Sequence, residues 1–225
     1  MLRMSDTSEI PALLGRTAGL HKALHEALKD AALDESLHTL LTVSTSDVAI
    51  EHGISVCMLV EAGHLTSANA LFRTQFEAVV RALWLCFAAT DEWLDRYMEA
   101  VRANPMKDPN CSPGMDEMLK DIERKAPPPI APQLIELKQG IWGALNSFVH
   151  TGIAPAALRQ TGFSFETARD TIRNSNALSS KATMVIATMS DDEQLVQLVI
   201  DIQLAHLDCL PPLNPHPTPT STASD

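Results

Sequence analysis

The stretch Ala70-Leu71-Phe72-Arg73-Thr74-Gln75-Phe76-Glu77-Ala78-Val79-Val80-Arg81-Ala82-Leu83-Trp84 decides the fold. Its apolar residues fall on every face of a 3.6-residue period, the pattern of a helix covered all round by neighbours. Arg73, Glu77 and Arg81 interrupt it at a strict spacing of four, so three ionised groups share one stripe. Taking each out of water costs about several kcal/mol, so the stripe requires partners or a polar cavity. The spacing predicts a central helix over about residues 65–89 with a polar centre on one side.

Outward from this element, helical periodicity continues in both directions. Pro11 suits a first turn, and Leu13, Thr17, Leu20, Leu24 and Leu28 predict a helix over about 10–32. A second runs over about 35–61, with a break allowed at Ser44 to Ser46, and stops at Gly63. Beyond the central helix, Thr90 caps a fourth with Asp91 and Glu92 in its first turn. Pro105, Pro109 and Pro113 mark a surface loop over 104–114, followed by a short helix over 115–125 and the breaker Pro127-Pro128-Pro129. The segment 104–130 thus reads as an excursion from the bundle.

From residue 131 to 150, Leu134, Leu137, Ile141, Leu145 and Phe148 give a core face. Beside them Gly140, Ala144, Ser147 and Thr151 are small enough for another helix to approach. A loop is expected after Gly152, then Ser164 opens a long helix to about Met189. Ser190-Asp191-Asp192-Glu193 matches a capping box before a final helix to about Cys209. Residues 211–225 are rich in Pro, Thr and Ser without apolar periodicity and predict a disordered tail. The expectation is an all-α, single-domain bundle of about seven to eight helices over 1–210.

Composition narrows the function classes. The 225 residues carry a formal net charge of −11, which opposes unassisted binding to phosphate backbones, and no DNA-binding signature is present. Cys57, Cys86, Cys111 and Cys209 are scattered, without the pairs of a zinc knuckle or a disulfide framework. No run of about 18 uncharged apolar residues occurs, and the first residues lack the apolar core of a signal peptide. A cytoplasmic protein with no membrane span is expected.

Three sets of residues could carry chemistry. Arg73, Glu77 and Arg81 come first: one arginine is neutralised by Glu77 while the other faces a carboxylate or phosphate, or else both are satisfied internally. Asn146, Ser147 and His150 share a face at the end of one helix, where the dipole favours an imidazolium, so His150 could serve as acid, base or phosphate contact. Arg169, Arg173, Asn174 and Asn176 form the third, and Arg173 and Asn176 add donors if that face points inward. His21 and His25 lie four apart and Glu61-Ala62-Gly63-His64 matches Glu-x-x-His, but the second motif of a di-iron bundle is missing, so neither metal nor cofactor is expected.

Four strings together carry a resemblance: Ala70 to Glu77 leading to Arg81-Ala82-Leu83-Trp84, then Leu145 to Gly152, then Arg173-Asn174-Ser175-Asn176-Ala177-Leu178, and Cys209-Leu210-Pro211. The chain resembles a bacterial all-helical family catalogued as a domain of unknown function, over most of residues 40–212. More distantly, an Arg-x-x-x-Glu helix followed by a Ser-x-x-His helix is similar to HEPN-like bundles, which include RNA-cleaving toxins and abortive-infection factors. Their signature is an arginine followed, after four to six residues, by a histidine. Here that form occurs at Arg16 to His21, on the first helix rather than a late one.

Two functions follow as expectations. One is an interaction or structural protein, homodimeric through its apolar stripes, with the polar groups in a closed network. The other is a pocket for a phosphate-bearing small ligand or RNA, formed by Arg73, Glu77, Arg81, Asn146, Ser147 and His150; as a metal-independent RNase it would use His150 and Arg73 as catalytic groups.

Overall fold

The computed structural model describes residues 9–104 and 112–212. The expected tail beyond Pro212, the Pro105–Cys111 part of the expected loop and Cys111 itself lie outside them. Nine α-helices occur among the described residues: α1 (Glu9–Leu28), α2 (Leu37–Glu61), α3 (Leu65–Phe87), α4 (Asp91–Ala103), α5 (Met115–Lys125), α6 (Ile130–Val149), α7 (Ile153–Thr161), α8 (Phe165–Met189) and α9 (Glu193–Ala205). A 3₁₀ turn, Leu207–Cys209, follows, and the described residues contain no strand. The protein is an all-α helical bundle.

The centre is a triangle of α2, α3 and α8, each packed on the other two. On α3, Phe72, Phe76, Val79, Val80 and Leu83 are all buried, as an apolar pattern on every face requires. Close approach comes from small residues: Thr42, Ser46, Ala49 and Gly53 on α2, and Thr171, Ser175, Ser179 and Thr183 on α8, all buried. Several of these hydroxyls bond back one turn, Ser46 Oγ to the Thr42 carbonyl at 2.9 Å and Thr183 Oγ1 to that of Ser179 at 3.0 Å.

Around this triangle α1 packs on α8 and α9, while α5 and α6 cover α3 from the other side. An aromatic step fixes α4: the Trp93 ring meets Trp84 of α3 edge-on at 4.8 Å and stacks on Tyr97 at 5.2 Å. Trp84 Nε1 donates to Asp121 Oδ2 of α5 at 3.0 Å, so the indole is satisfied at its polar end.

Four sequence expectations need correction. The helix α2 runs unbroken through Ser44 to Ser46, because Thr45 Oγ1 and Ser46 Oγ spend their bonding on the Leu41 and Thr42 carbonyls rather than competing for the backbone. The loop expected after Gly152 contains α7; Pro155 falls in its first turn, where an amide donor is dispensable. The cap of α9 is Asp192, whose Oδ1 accepts from the Gln194 and Leu195 amides, while Ser190 bonds back to Ala187 and closes α8. The small residues Gly140 and Ala144 of α6 are exposed, and no described residue of another element lies within 4 Å of where a Gly140 Cβ would stand. Among the described residues the helices accordingly number nine, against the expected seven or eight.

Candidate functional site

The polar centre forms where α3 meets α6. The Arg73 guanidinium lies 3.9 Å above the Trp142 ring of α6. Its Nη2 donates to Glu77 Oε1 at 2.6 Å and its Nη1 to Asn146 Oδ1. Phe76 meets the same indole edge-on at 5.7 Å. With 13% of the Arg73 side chain exposed against 36% for Glu77, the cation is largely desolvated and its counter-ion faces water. A planar guanidinium suits this setting, since it can stack on a ring while its edge donates. Only its Nε, out of water, has no bonding partner among the described residues.

The other residues singled out in the sequence lie elsewhere. Arg81 Nη1 donates to Ser112 Oγ at 2.9 Å, before α5; two helical turns carry it about 12 Å along the axis from Arg73. Ser147 Oγ accepts from the Ala154 amide at 3.2 Å, joining α6 to α7. His150 is exposed at the end of α6, its amide bonded to the Asn146 carbonyl at 3.0 Å. Arg173 is half-buried, and its Nε has no bonding partner among the described residues. Arg169 pairs with Asp170, and Asn174 donates to the Asp170 carbonyl. The structure brings together Arg73, Glu77 and Asn146; Arg81, Ser147, His150, Arg173 and Asn176 do not join them. Shared helix faces set direction, but position along the axis separates the groups.

Asn176 instead organises a second polar node, at 0% exposure. Its Nδ2 donates to Thr17 Oγ1 at 2.9 Å and to the Cys209 carbonyl at 3.0 Å. Its Oδ1 then pairs with His21 Nε2 at 3.1 Å, a bond that calls for a proton on Nε2. Burial pushes the His21 pKa below its ordinary value, opposed in part by the Asn176 bond. One amide thereby ties α8 to α1 and to the closing 3₁₀ turn.

A third node went unread in the sequence. Gln75, fully buried on α3, exchanges bonds with Ser175 and Ser179 of α8, and Thr171 Oγ1 reaches Asn69 Oδ1 at 3.4 Å one step earlier. The signal was present: an uncharged amide inside an apolar helix, and hydroxyls repeating every four residues at 171, 175, 179 and 183. Trp142 was missed too.

A cleft of about 370 Å³ opens at the start of α3, lined by His64, Thr66, Ser67, Thr151, Gly152 and Arg159 among others. The N-terminal turns of α3 and α7 both border it, and Thr66 Oγ1 has no bonding partner among the described residues. Among those residues no group of three or more His, Cys, Asp or Glu could hold a metal ion, and His21 is engaged by Asn176.

The chain belongs to a family of unknown function, DUF6988, whose model matches residues 46–212. No curated protein and no solved structure matches it. The matched region contains the Arg73 cluster and Asn176 but not α1, which supplies Thr17 and His21. The Arg16 to His21 string therefore falls outside it.

Proposed function

For a chain of this family, we propose an interaction role: a bundle that self-associates as a homodimer through the outer face of α2, with its polar centre holding the helices together. The observation that carries this reading is the row of exposed apolar residues on that face, which the exposed Asp47 and Glu51 interrupt. Leu40 and Met58 are 54% and 63% exposed, and Val48 and Ile54 are exposed between them. The most apolar 18-residue window of α2 has a mean hydropathy of 1.2, yet only 33% of it is buried. By length and composition α2 could cross a membrane; its other face, however, packs on α3 and α8. A two-fold partner offering the same face would cover the stripe with itself. Occupation of Arg73 by Glu77, Asn146 and Trp142 supports a structural use of that arginine.

Free thiols at Cys57, Cys86 and Cys209 fit a reducing compartment, the cytoplasm. Burial pushes Cys57 and Cys86 up to about 12, which suits inert packing rather than nucleophilic chemistry. The test of the dimer is an Ile54→Cys variant under mild oxidation. Disulfide-linked pairs are expected, whereas a chain that stays unlinked at concentrations where the wild type self-associates excludes α2 as the interface.

The cleft at the start of α3 supports a second reading, a site for a phosphate-bearing ligand or RNA in the manner of a HEPN-like, metal-independent RNase of a toxin–antitoxin or phage-defence system. Helix N-termini and Arg159 suit an anion there, and His150 immediately precedes Thr151 of the lining. Expression of wild type, His150→Ala and Arg159→Ala while following cellular RNA decides it. RNA loss that both variants abolish at unchanged melting temperature supports the RNase; intact RNA with the wild type removes it.

A further inference from the structure

A second cleft, of about 300 Å³, lies between the end of α3, the middle of α8, and α9 with the turn after it. Its walls are apolar, formed chiefly by Leu83, Phe87, Met184, Val185, Leu204 and Leu207. Four polar residues also line it, Ser180, Lys181, Thr188 and Gln203, and of these the Lys181 ammonium and the Ser180 hydroxyl bear most on what it could hold.

Both are short of partners. Lys181 Nζ donates to the neutral amide oxygen of Gln133 at 2.6 Å and makes no ion pair among the described residues, in a chain where 28 Asp and Glu outnumber 17 Lys and Arg. Ser180, 1% exposed, has an Oγ with no hydrogen bond among those residues. A half-buried cation without a counter-ion and a buried, orphaned hydroxyl beside one apolar surface are each better satisfied if something else completes them.

We propose that this cleft binds an amphiphilic carboxylic acid, its alkyl chain against the apolar walls and its carboxylate on the Lys181 ammonium and the Ser180 hydroxyl. A carboxylate offers two acceptor oxygens, one for each donor. A neutral hydrocarbon would leave the Ser180 hydroxyl unmet and the Lys181 charge without a counter-ion, and an apolar cation would meet a like charge. A second copy of the chain fits poorly, because a helix of about 10 Å diameter is far larger than the space, which matches the lower end of small-molecule sites at roughly 300 Å³. Leu204, 58% exposed, stands at the rim where a chain would enter. Burial also pushes the Lys181 pKa below its ordinary value, a shift that a bound carboxylate would reverse.

The test is calorimetric titration of the full chain with decanoate and, separately, with 1-decanol. Decanoate is expected to bind and 1-decanol to bind more weakly. Lys181→Met should weaken decanoate about tenfold or more while leaving 1-decanol unchanged, the loss expected of one charge-assisted contact. Leu204→Trp, at an exposed position that spares the fold, should weaken both. No decanoate binding to the wild type, or unchanged decanoate affinity in Lys181→Met, overturns the proposal. Since the cleft shares no residue with the outer face of α2, a Met58→Glu variant should bind decanoate like the wild type.

Discussion

Gln75 of α3 and Ser175 of α8 hold each other by two bonds across the core: Gln75 Nε2 donates to the Ser175 carbonyl at 3.0 Å, and Ser175 Oγ donates to Gln75 Oε1 at 2.7 Å. With a further bond from Nε2 to Ser179 Oγ, the amide has partners for both its ends. A satisfied buried network fixes register between two helices more sharply than apolar contact can. The pair should therefore be strongly coupled. In a double-mutant cycle of Gln75→Ala and Ser175→Ala, which probes the hydroxyl bond because alanine keeps the residue 175 carbonyl, denaturant unfolding is expected to give a coupling energy of about 1–2 kcal/mol; additive losses would mean that the hydroxyl bond adds nothing to stability.

Gly53 of α2 sits directly against Gln75 and Ser179 of this network. A Cβ built there would run into Ser179 Oγ and Gln75 Nε2. Gly53→Ala should thus destabilise by about 2–3 kcal/mol despite the better helix propensity of alanine, the cost of overpacking combined with a disturbed buried bond. Chemical denaturation of the two proteins measures it, and a stabilised variant would show that α2 can move away freely.

The helices were legible because their signals are local. The apolar pattern of α3, the Thr90 and Ser164 caps, and the stop at Gly63, whose φ is +76°, all appear where the sequence places them. Partners were far less legible. Asn176 stands 159 residues from Thr17 and 155 from His21, separations about which helical spacing says nothing. Arg73 and Asn146 meet because α6 lies across α3, while Arg81 on the same stripe meets Ser112 instead. An overlooked helix, α7, was hidden by Pro155, which reads as a breaker unless it falls in a first turn.

His21 makes stability depend on pH. Its folded-state pKa lies below the ordinary 6.5, so between the two values the unfolded chain holds more protons than the folded one, and stability rises with pH. The contribution is complete above about 6.5, declines as pH falls below it, and levels off once the folded-state value is passed. Melting temperature measured from pH 7.5 to 5.0 should fall more steeply for the wild type than for His21→Gln. Parallel curves would place the imidazole in water.

Arg73 should not tolerate lysine. An ammonium cannot lie flat on Trp142 while donating to both Glu77 and Asn146. Arg73→Lys is expected to lose about 1–2 kcal/mol and Arg73→Ala somewhat more, since each leaves part of this partly buried cluster unmatched. Equal stability of the lysine variant and the wild type, read from thermal unfolding, would reduce the cluster to a plain surface ion pair.

The most direct test of the interaction role is sedimentation velocity of the wild type and Met58→Glu across a concentration series. The wild type should approach twice the 24.5 kDa chain mass as concentration rises, and the glutamate, placed at the most exposed apolar position of the α2 face, should hold the protein at one chain mass with its helical signal unchanged. A wild type that sediments as a single 24.5 kDa chain at every concentration would contradict it.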